Sequence, residues 1–371
     1  MSRHHAVAIA CRENISKGEE ERLLSEASFL FGVFASIQVN IVIIIVDRLS
    51  MKRRIFRWRW VVLSTLVFVL VLQAAIFSRT LQDSVLLGAY DPARTFEGTE
   101  AIAIDHHFVT WRRNDTSELQ DALQQSVSNH HLPMITLESW PWNWDGLTDE
   151  TLLKDITNGR YDPTLAEVFK VLETYSYQTI LFRWGHEMEI TGQYPWSKAK
   201  AEDYIAAYRH IFEMGHQGET SHLLWMWSPA GNENAKDFWP GDAYVDCVGI
   251  SIYAHPKWNE QNYGELPSFQ QLMEKKYWPA SEYDKPMLVA EVGVEGSVAE
   301  QNSWLSAAIE SLPNFPSINA WVYFNQRQPP IVPLDIGLPH WEVAEETAKL
   351  LTTRWQESET SLESKMNPLP L

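Results

Sequence analysis

Residues 286–291 read Pro286-Met287-Leu288-Val289-Ala290-Glu291: four apolar residues between a proline and a carboxylate. The run shows no apolar–polar alternation. It therefore suits a strand buried on both faces, as in a parallel sheet covered by helices. Seven further short runs, apolar and rich in β-branched or aromatic residues, lie at 84–90, 101–105, 133–138, 178–183, 222–227, 245–251 and 318–324. Amphipathic stretches at 117–129, 163–175, 198–215 and 298–312 fall between them. Strands that alternate with helices predict an α/β fold, and eight of them predict a (β/α)8 TIM barrel, which takes about 250 residues. The competing fold is an open doubly wound sheet. It usually has fewer strands and a glycine-rich first turn, and no Gly-x-Gly-x-x-Gly occurs here.

A barrel of this kind carries its chemistry where each strand ends and its following loop begins. Those ends read Asp105-His106-His107, Glu138-Ser139-Trp140, Arg183-Trp184-Gly185-His186-Glu187, Trp227-Ser228-Pro229, Ser251-Ile252-Tyr253, Glu291 and Phe324-Asn325. Glu187 follows the fourth strand and Glu291 ends the seventh, positions that face each other across the mouth of a closed ring. A lone Glu at a strand end also serves as a salt-bridge partner or a helix cap. Two of them, one kept protonated and one kept ionised, suit glycoside hydrolysis. A gap of about 5–5.5 Å between them predicts retention of configuration. His186-Glu187 is not a zinc-protease motif, because Ile190 stands where His-Glu-x-x-His needs its second histidine. Neighbours on a strand point to opposite faces, so His106 and His107 do not chelate one ion together. Either is a sugar contact or a packed core histidine. Hydrolysis by two carboxylates implies no cofactor and no metal.

The 371 residues include 17 Trp, 13 Tyr and 15 Phe. A large core absorbs many aromatics; a cleft that stacks flat, polar ligands, sugars above all, is the other reading. Of 30 basic and 48 acidic residues, 11 and 6 fall in residues 1–79, which leaves 19 and 42 for residues 80–371, a charge of −23. That balance argues against nucleic acid as the partner. Two cysteines exclude a disulfide scaffold, and Cys247 reads as an inert core thiol. Residues 60–78 form an uncharged apolar run behind Lys52, Arg53, Arg54, Arg57 and Arg59. This pattern predicts an uncleaved membrane anchor, in preference to a removed signal peptide, with the C-terminal domain outside the cytoplasm. Met51 precedes the basic cluster, so residues 1–50 read as a doubtful extension. The expected organisation is 1–50 extension, 51–79 basic flank and anchor or signal segment, 80–355 barrel, and 356–371 polar tail.

Arg183-Trp184-Gly185-His186-Glu187-Met188, with Gly192 and Trp196, resembles the fourth-strand motif of glycoside hydrolase family 26. Trp225-Met226-Trp227-Ser228-Pro229 resembles its fifth strand, and the run from Trp239 to Ile250 its approach to the sixth. The run from Lys285 to Gly293 is similar to its seventh, and Phe324-Asn325 to its eighth. The resemblance covers roughly residues 84–345 and is specific in combination. It implies a retaining endo-acting glycosidase of the β-mannanase, β-1,3-1,4-glucanase or β-1,3-xylanase kind. Glu187 would be the acid/base and Glu291 the nucleophile. His186 would support the acid/base, Tyr253 would hydrogen-bond the nucleophile, and Arg183 would lie beneath and pair with a carboxylate. Trp196 and Tyr194 would stack on sugars beside the cleavage point, and Trp321 would floor the reactive sugar. Trp140, Trp142 and Trp144 would form further subsites, and His107 a sugar contact. Three positions depart from the family pattern: Ser251 replaces a usual Asp, Trp184 a common Pro, and Glu189 a frequent Asn. They bear on which sugar is read, β-1,4-mannan or mixed-linkage β-glucan, more than on the reaction. A silent polysaccharide-binding barrel and a transglycosylase with the same covalent intermediate are the alternatives.

Overall fold

In a computed structural model, residues 85–366 are described, apart from 113, 142–149, 219, 265 and 328–337. Eight strands run β1 Leu86–Tyr90, β2 Ile102–Thr110, β3 Leu132–Glu138, β4 Ile180–Trp184, β5 Leu223–Trp227, β6 Cys247–Ala254, β7 Met287–Val294 and β8 Ile318–Phe324. All neighbours pair in parallel, and β8 returns to β1 to close the barrel. The helices described are α1 Ser117–Asn129, α2 Leu152–Thr157, α3 Asp162–Glu173, α4 Ala201–Gly215, α5 Pro256–Tyr263, α6 Phe269–Ser281, α7 Val298–Ser311 and α8 Glu345–Met366. The eight expected strands are thus present, and the closed ring excludes the open sheet. Three ends differ: β2 continues to Thr110 rather than stopping near Asp105, β6 to Ala254 rather than Ser251, and β7 to Val294 rather than Glu291.

Alternation along each strand sorts the apolar residues into two cores. Leu86, Ile104, Met134, Leu181, Met226, Leu288 and Ala320 fill the barrel interior. Their neighbours, such as Leu87, Ile135, Phe182, Trp225, Val289 and Trp321, face the helices. Both sets are buried, which is why the strands read as unbroken apolar runs. Towards the C-terminal ends of the strands the interior turns polar, with His106, Thr136, Arg183, Ser228, Ser251 and Glu291 all buried. Cys247 is buried within the inner core.

Strict alternation would place Glu291 outside, because Leu288 and Ala290 already point inward. Pairing with β6 skips one residue: Ile250 sits opposite Val289, and Ser251 opposite Glu291. This bulge at Ala290 leaves two consecutive residues facing in and shifts the phase of the rest of β7. Val292 and Val294 consequently belong to the outer core, and Glu291 turns into the barrel.

The helix α8 runs to Met366, past 355, where the sequence suggests a polar tail. Its Trp355 is buried, stacks on Trp321 at 5.4 Å, and donates its indole N–H to the Val85 carbonyl at 3.2 Å. These contacts tie the last helix to both ends of the strand order. Among the described residues no helix is long and apolar enough to cross a membrane. The anchor expected at 51–79, and the extension before it, lie outside the described residues.

Candidate active site

Arg183 is the centre of the polar layer. It is completely buried, at 0% exposure, on the inward face of β4. Its Nε donates to Thr136 Oγ1 at 2.7 Å, Nη1 to Ser228 Oγ at 3.3 Å, and Nη2 to Glu291 Oε1 at 2.6 Å. His106 lies 2.8 Å from Thr136 Oγ1 and 3.4 Å from Arg183 Nη2 through its Nε2. Burial, then the guanidinium beside it, holds the His106 imidazole well below the usual histidine range, so it stays neutral. A fixed guanidinium fork of this kind sets a carboxylate's position as well as its charge.

Above this layer opens a cavity of about 540 Å³, lined by three carboxyl groups, Glu138, Glu187 and Glu291, among aromatic side chains. Glu291 takes Arg183 on one oxygen and the Tyr253 hydroxyl, at 2.5 Å, on the other. Burial, followed by Glu291 and Glu187, pushes the Tyr253 phenol well above its ordinary value, so it keeps the proton that it donates.

Glu187 comes from a tight turn directly after β4. Gly185 has φ 62° and Glu187 has φ 51°, both in the left-handed region that a glutamate rarely adopts. A Cβ on Gly185 would lie 2.8 Å from the ring of Tyr204, so this place demands glycine by space as well as by dihedral. The Glu187 backbone N–H donates to the Ser228 carbonyl at 2.8 Å, and this bond across to the β5 end holds the turn. Gln193 Nε2, at 3.1 Å, and the Tyr194 hydroxyl, at 3.3 Å, donate to Glu187 Oε2. Burial pushes the Glu187 carboxyl up to about 7, with Glu291 and Glu189 adding to the shift and Ser251 and Lys276 opposing it. The cavity therefore holds a carboxyl that keeps its proton to near neutrality beside another gripped by a guanidinium and a phenol.

His186 is buried between Phe108, at 5.8 Å, and Tyr194, at 4.7 Å. Burial first, then Arg183, keeps it well below its ordinary range and neutral. Tyr194 lines the cavity, but Trp196 does not. Trp196 is fully buried, lies flat against Tyr194 at 4.8 Å, and donates its indole N–H to the His186 carbonyl at 2.7 Å. Trp140 packs edge-on against Trp196 at 5.6 Å. These two tryptophans form the backing of Tyr194 rather than sugar platforms, a correction to the sequence expectation. Trp142 and Trp144 lie outside the described residues.

Two further expectations are corrected by strand parity. Trp321 is fully buried and faces outward, against Trp355 and Phe269, so it does not floor the cavity. His107 also points outward, with Nε2 3.0 Å from Ser126 Oγ on α1. Besides Tyr194 and Tyr253, the aromatic surfaces lining the cavity are Tyr90, Phe108, Trp258, Phe324 and Trp341. Trp341, from the segment after β8, packs on Tyr253 at 4.7 Å. It stands on no strand end, so the strand-end pattern does not find it. The same holds for Gln193 and for Lys276 of α6. Glu138 does stand at a strand end, and burial pushes its carboxyl up to about 7, against a hydrogen bond from Trp140 and the charge of Arg183. Of the three departures, Ser251 lines the cavity, Trp184 packs outward on Tyr204 at 5.6 Å, and Glu189 accepts backbone N–H groups from the loop after β5. Among the described residues no group of three His, Cys, Asp or Glu side chains is placed to hold a metal ion.

Comparison with known proteins adds the following. The model of glycosyl hydrolase family 26 matches residues 150–310, which include Glu187 and Glu291. Endoglucanase H of Acetivibrio thermocellus is 25% identical over 251 residues, 63% of this chain and 26% of that protein. A mannan endo-1,4-beta-mannosidase of Bacillus subtilis is 32% identical over 98 residues, 24% of this chain and 26% of that protein. The chain spans about a quarter to two fifths of the length of the curated relatives it matches first. The structure of a GH26 beta-mannanase from Bacteroides ovatus has a TM-score of 0.55 at 12% identity, over 76% of this chain and 90% of that one, a likeness of fold.

Proposed function

The chain belongs to glycosyl hydrolase family 26, and from that premise we propose that it is a retaining endo-β-glycosidase acting on a β-linked polysaccharide, a β-1,4-mannan or a mixed-linkage β-glucan. Glu291 attacks the anomeric carbon while Glu187 gives its proton to the departing glycosidic oxygen. The product of this step is a glycosyl ester on Glu291. Glu187, now ionised, takes a proton from water as that water attacks the same carbon, and Glu291 leaves as a carboxylate. Arg183 and Tyr253 meet the two oxygens of Glu291 and aim it. The observation that carries the reading is the unlike setting of two carboxyl groups in one cavity, one with its proton affinity raised to near 7 and one under a guanidinium. Unlike environments are how two carboxyl groups divide the acid and nucleophile roles. Because Glu187 must enter the cycle protonated, kcat/KM falls as pH rises through about 7.

The test is digestion of a β-glycan panel with proton NMR of the fresh products. The reading expects oligosaccharide products whose new reducing ends appear first as the β-anomer. An α-anomer first would replace retention by inversion, and no product on any β-glycan would leave only a binding barrel.

We further propose that the barrel works outside the cytoplasm on a membrane anchor, supported by the basic cluster from Lys52 to Arg59 ahead of the uncharged run at 60–78. In intact cells, or in spheroplasts where a wall is present, added protease should reach the barrel of a membrane-bound product. Full protection until the membrane is broken would overturn this placement.

A further inference from the structure

Lys276 stands on α6, away from any strand end, yet it lines the same cavity as Glu187 and Glu291. Its Nζ donates to the Ser251 carbonyl at 2.7 Å. The path it takes is built into the loop after β5. A Cβ on Gly231 would lie 2.9 Å from each of three carbons of the lysine stem, and Gly231 also has φ 92°. Residue 231 is glycine on both counts, and the stem runs through the space that the missing side chain leaves. The same loop is held from its other side by Glu189. Its Oε1 accepts the Gly231 and Asn232 amides at 2.9 and 3.2 Å, and the residue is 3% exposed. Its Oε2 is buried without a hydrogen-bond partner among the described residues. Lys276 of α6 and Glu189 of the turn after β4 therefore meet the same loop from two sides, and Lys276 shares the cavity with Glu187.

We propose that Lys276 is a positioning residue for the proton on Glu187, with Glu189 as the opposing charge and Gly231 as the slot that admits the lysine. This rests on the reading of Glu187 as the acid/base. The groups facing Glu187 come from four elements. The turn after β4 brings His186, Glu189 and Tyr194, β6 brings Tyr253, β7 brings Glu291, and α6 brings Lys276. His186 and both tyrosines are neutral at pH 7. Glu291 and Glu189 raise the Glu187 carboxyl and Lys276 lowers it, while burial lowers Lys276 itself, against Glu187 and Glu189. Glu138 of β3, pushed up to about 7, lines the same cavity. A nearby cation favours the ionised carboxyl and a nearby anion disfavours it. Lys276 thus limits how firmly Glu187 keeps its proton, while Glu189 strengthens that hold. Through this balance the acid stays protonated at neutral pH and still releases its proton within the catalytic cycle.

The experiment is the pH profile of kcat/KM for the full chain on a soluble β-glycan. Lys276→Met should move the alkaline limb up by about one pH unit, and Glu189→Gln should move it down by about as much. Lys276→Arg keeps the charge and should keep the limb. A merely structural lysine would lower the rate and leave the limb in place. Should Lys276→Met turn over too slowly, carbon-13 NMR of labelled glutamate carboxyls reads the Glu187 titration directly, assigned by its absence in Glu187→Gln. An unmoved titration in both variants, or shifts of the same sign, overturns the proposal. A wild-type limb that survives in Glu187→Gln overturns the acid assignment itself, and the role of Lys276 with it.

Discussion

Glu291→Ala should lower kcat/KM on the preferred β-glycan by roughly 10⁴–10⁶-fold, the scale on which enzymes lose a covalent nucleophile. The carboxylate is 5% exposed and held on both oxygens, by Arg183 and by Tyr253. Its removal opens a small space against Arg183, a site suited to a small anion. Azide with an aryl β-glycoside that has a good leaving group should therefore restore turnover. The azide would attack from the side that Glu291 occupied, so its product should have the α configuration. Near wild-type hydrolysis by Glu291→Ala would end the nucleophile assignment. A loss of activity without rescue, in a protein with an unchanged melting curve, would separate the chemistry from a folding defect.

The second large effect falls on stability. Arg183→Met should destabilise the fold by about 3–5 kcal/mol, because it removes one partner of a buried ion pair and leaves Glu291 charged without its counter-ion. The guanidinium is 0% exposed and also satisfies Thr136 and Ser228. Methionine fills similar volume, so the loss is electrostatic rather than a cavity. A paired change tests that cause. Arg183→Met with Glu291→Gln leaves no unmatched charge and should recover a good part of the lost stability, although it recovers no activity. Urea unfolding of the four proteins measures this coupling. If Arg183→Met alone lies within 1 kcal/mol of wild type, or the double variant is the sum of the singles, the pair does not anchor the site.

The eight strands were legible because both of their faces are buried, and Val289 and Leu288 are apolar for different neighbours. Glu187 and Glu291 were legible because a barrel concentrates polar groups towards the C-terminal ends of its strands, although β7 runs three residues past Glu291. Three kinds of information were not. The first is parity. Trp321 and His107 are plausible site residues by type, but each is out of phase with its inward neighbours, Val322 and His106. The length of β2, and with it the inward places of His106 and Phe108, depends on pairing with β3 through Thr110. The second is layering. A tryptophan that touches sugar and one that backs a tyrosine have the same letter, and only the flat stack of Trp196 on Tyr194 separates them. The third is reach. Lys276 and Trp341 enter the cavity from a helix and from the segment after β8, where periodicity carries no active-site signal.

The bulge at Ala290 has a meaning for comparing chains of this kind. Because alternation has a period of two, one extra or missing residue in β7 exchanges which letters reach the barrel interior. Deleting Ala290 itself would remove the bulge, restore regular pairing with β6 and leave the glutamate opposite Ser251, still facing the interior. A strand of the same length that paired with β6 without the bulge would instead turn this carboxylate towards the helices. The local pairing of β7 with β6, not identity at one column, is then what decides whether this carboxylate reaches the cavity.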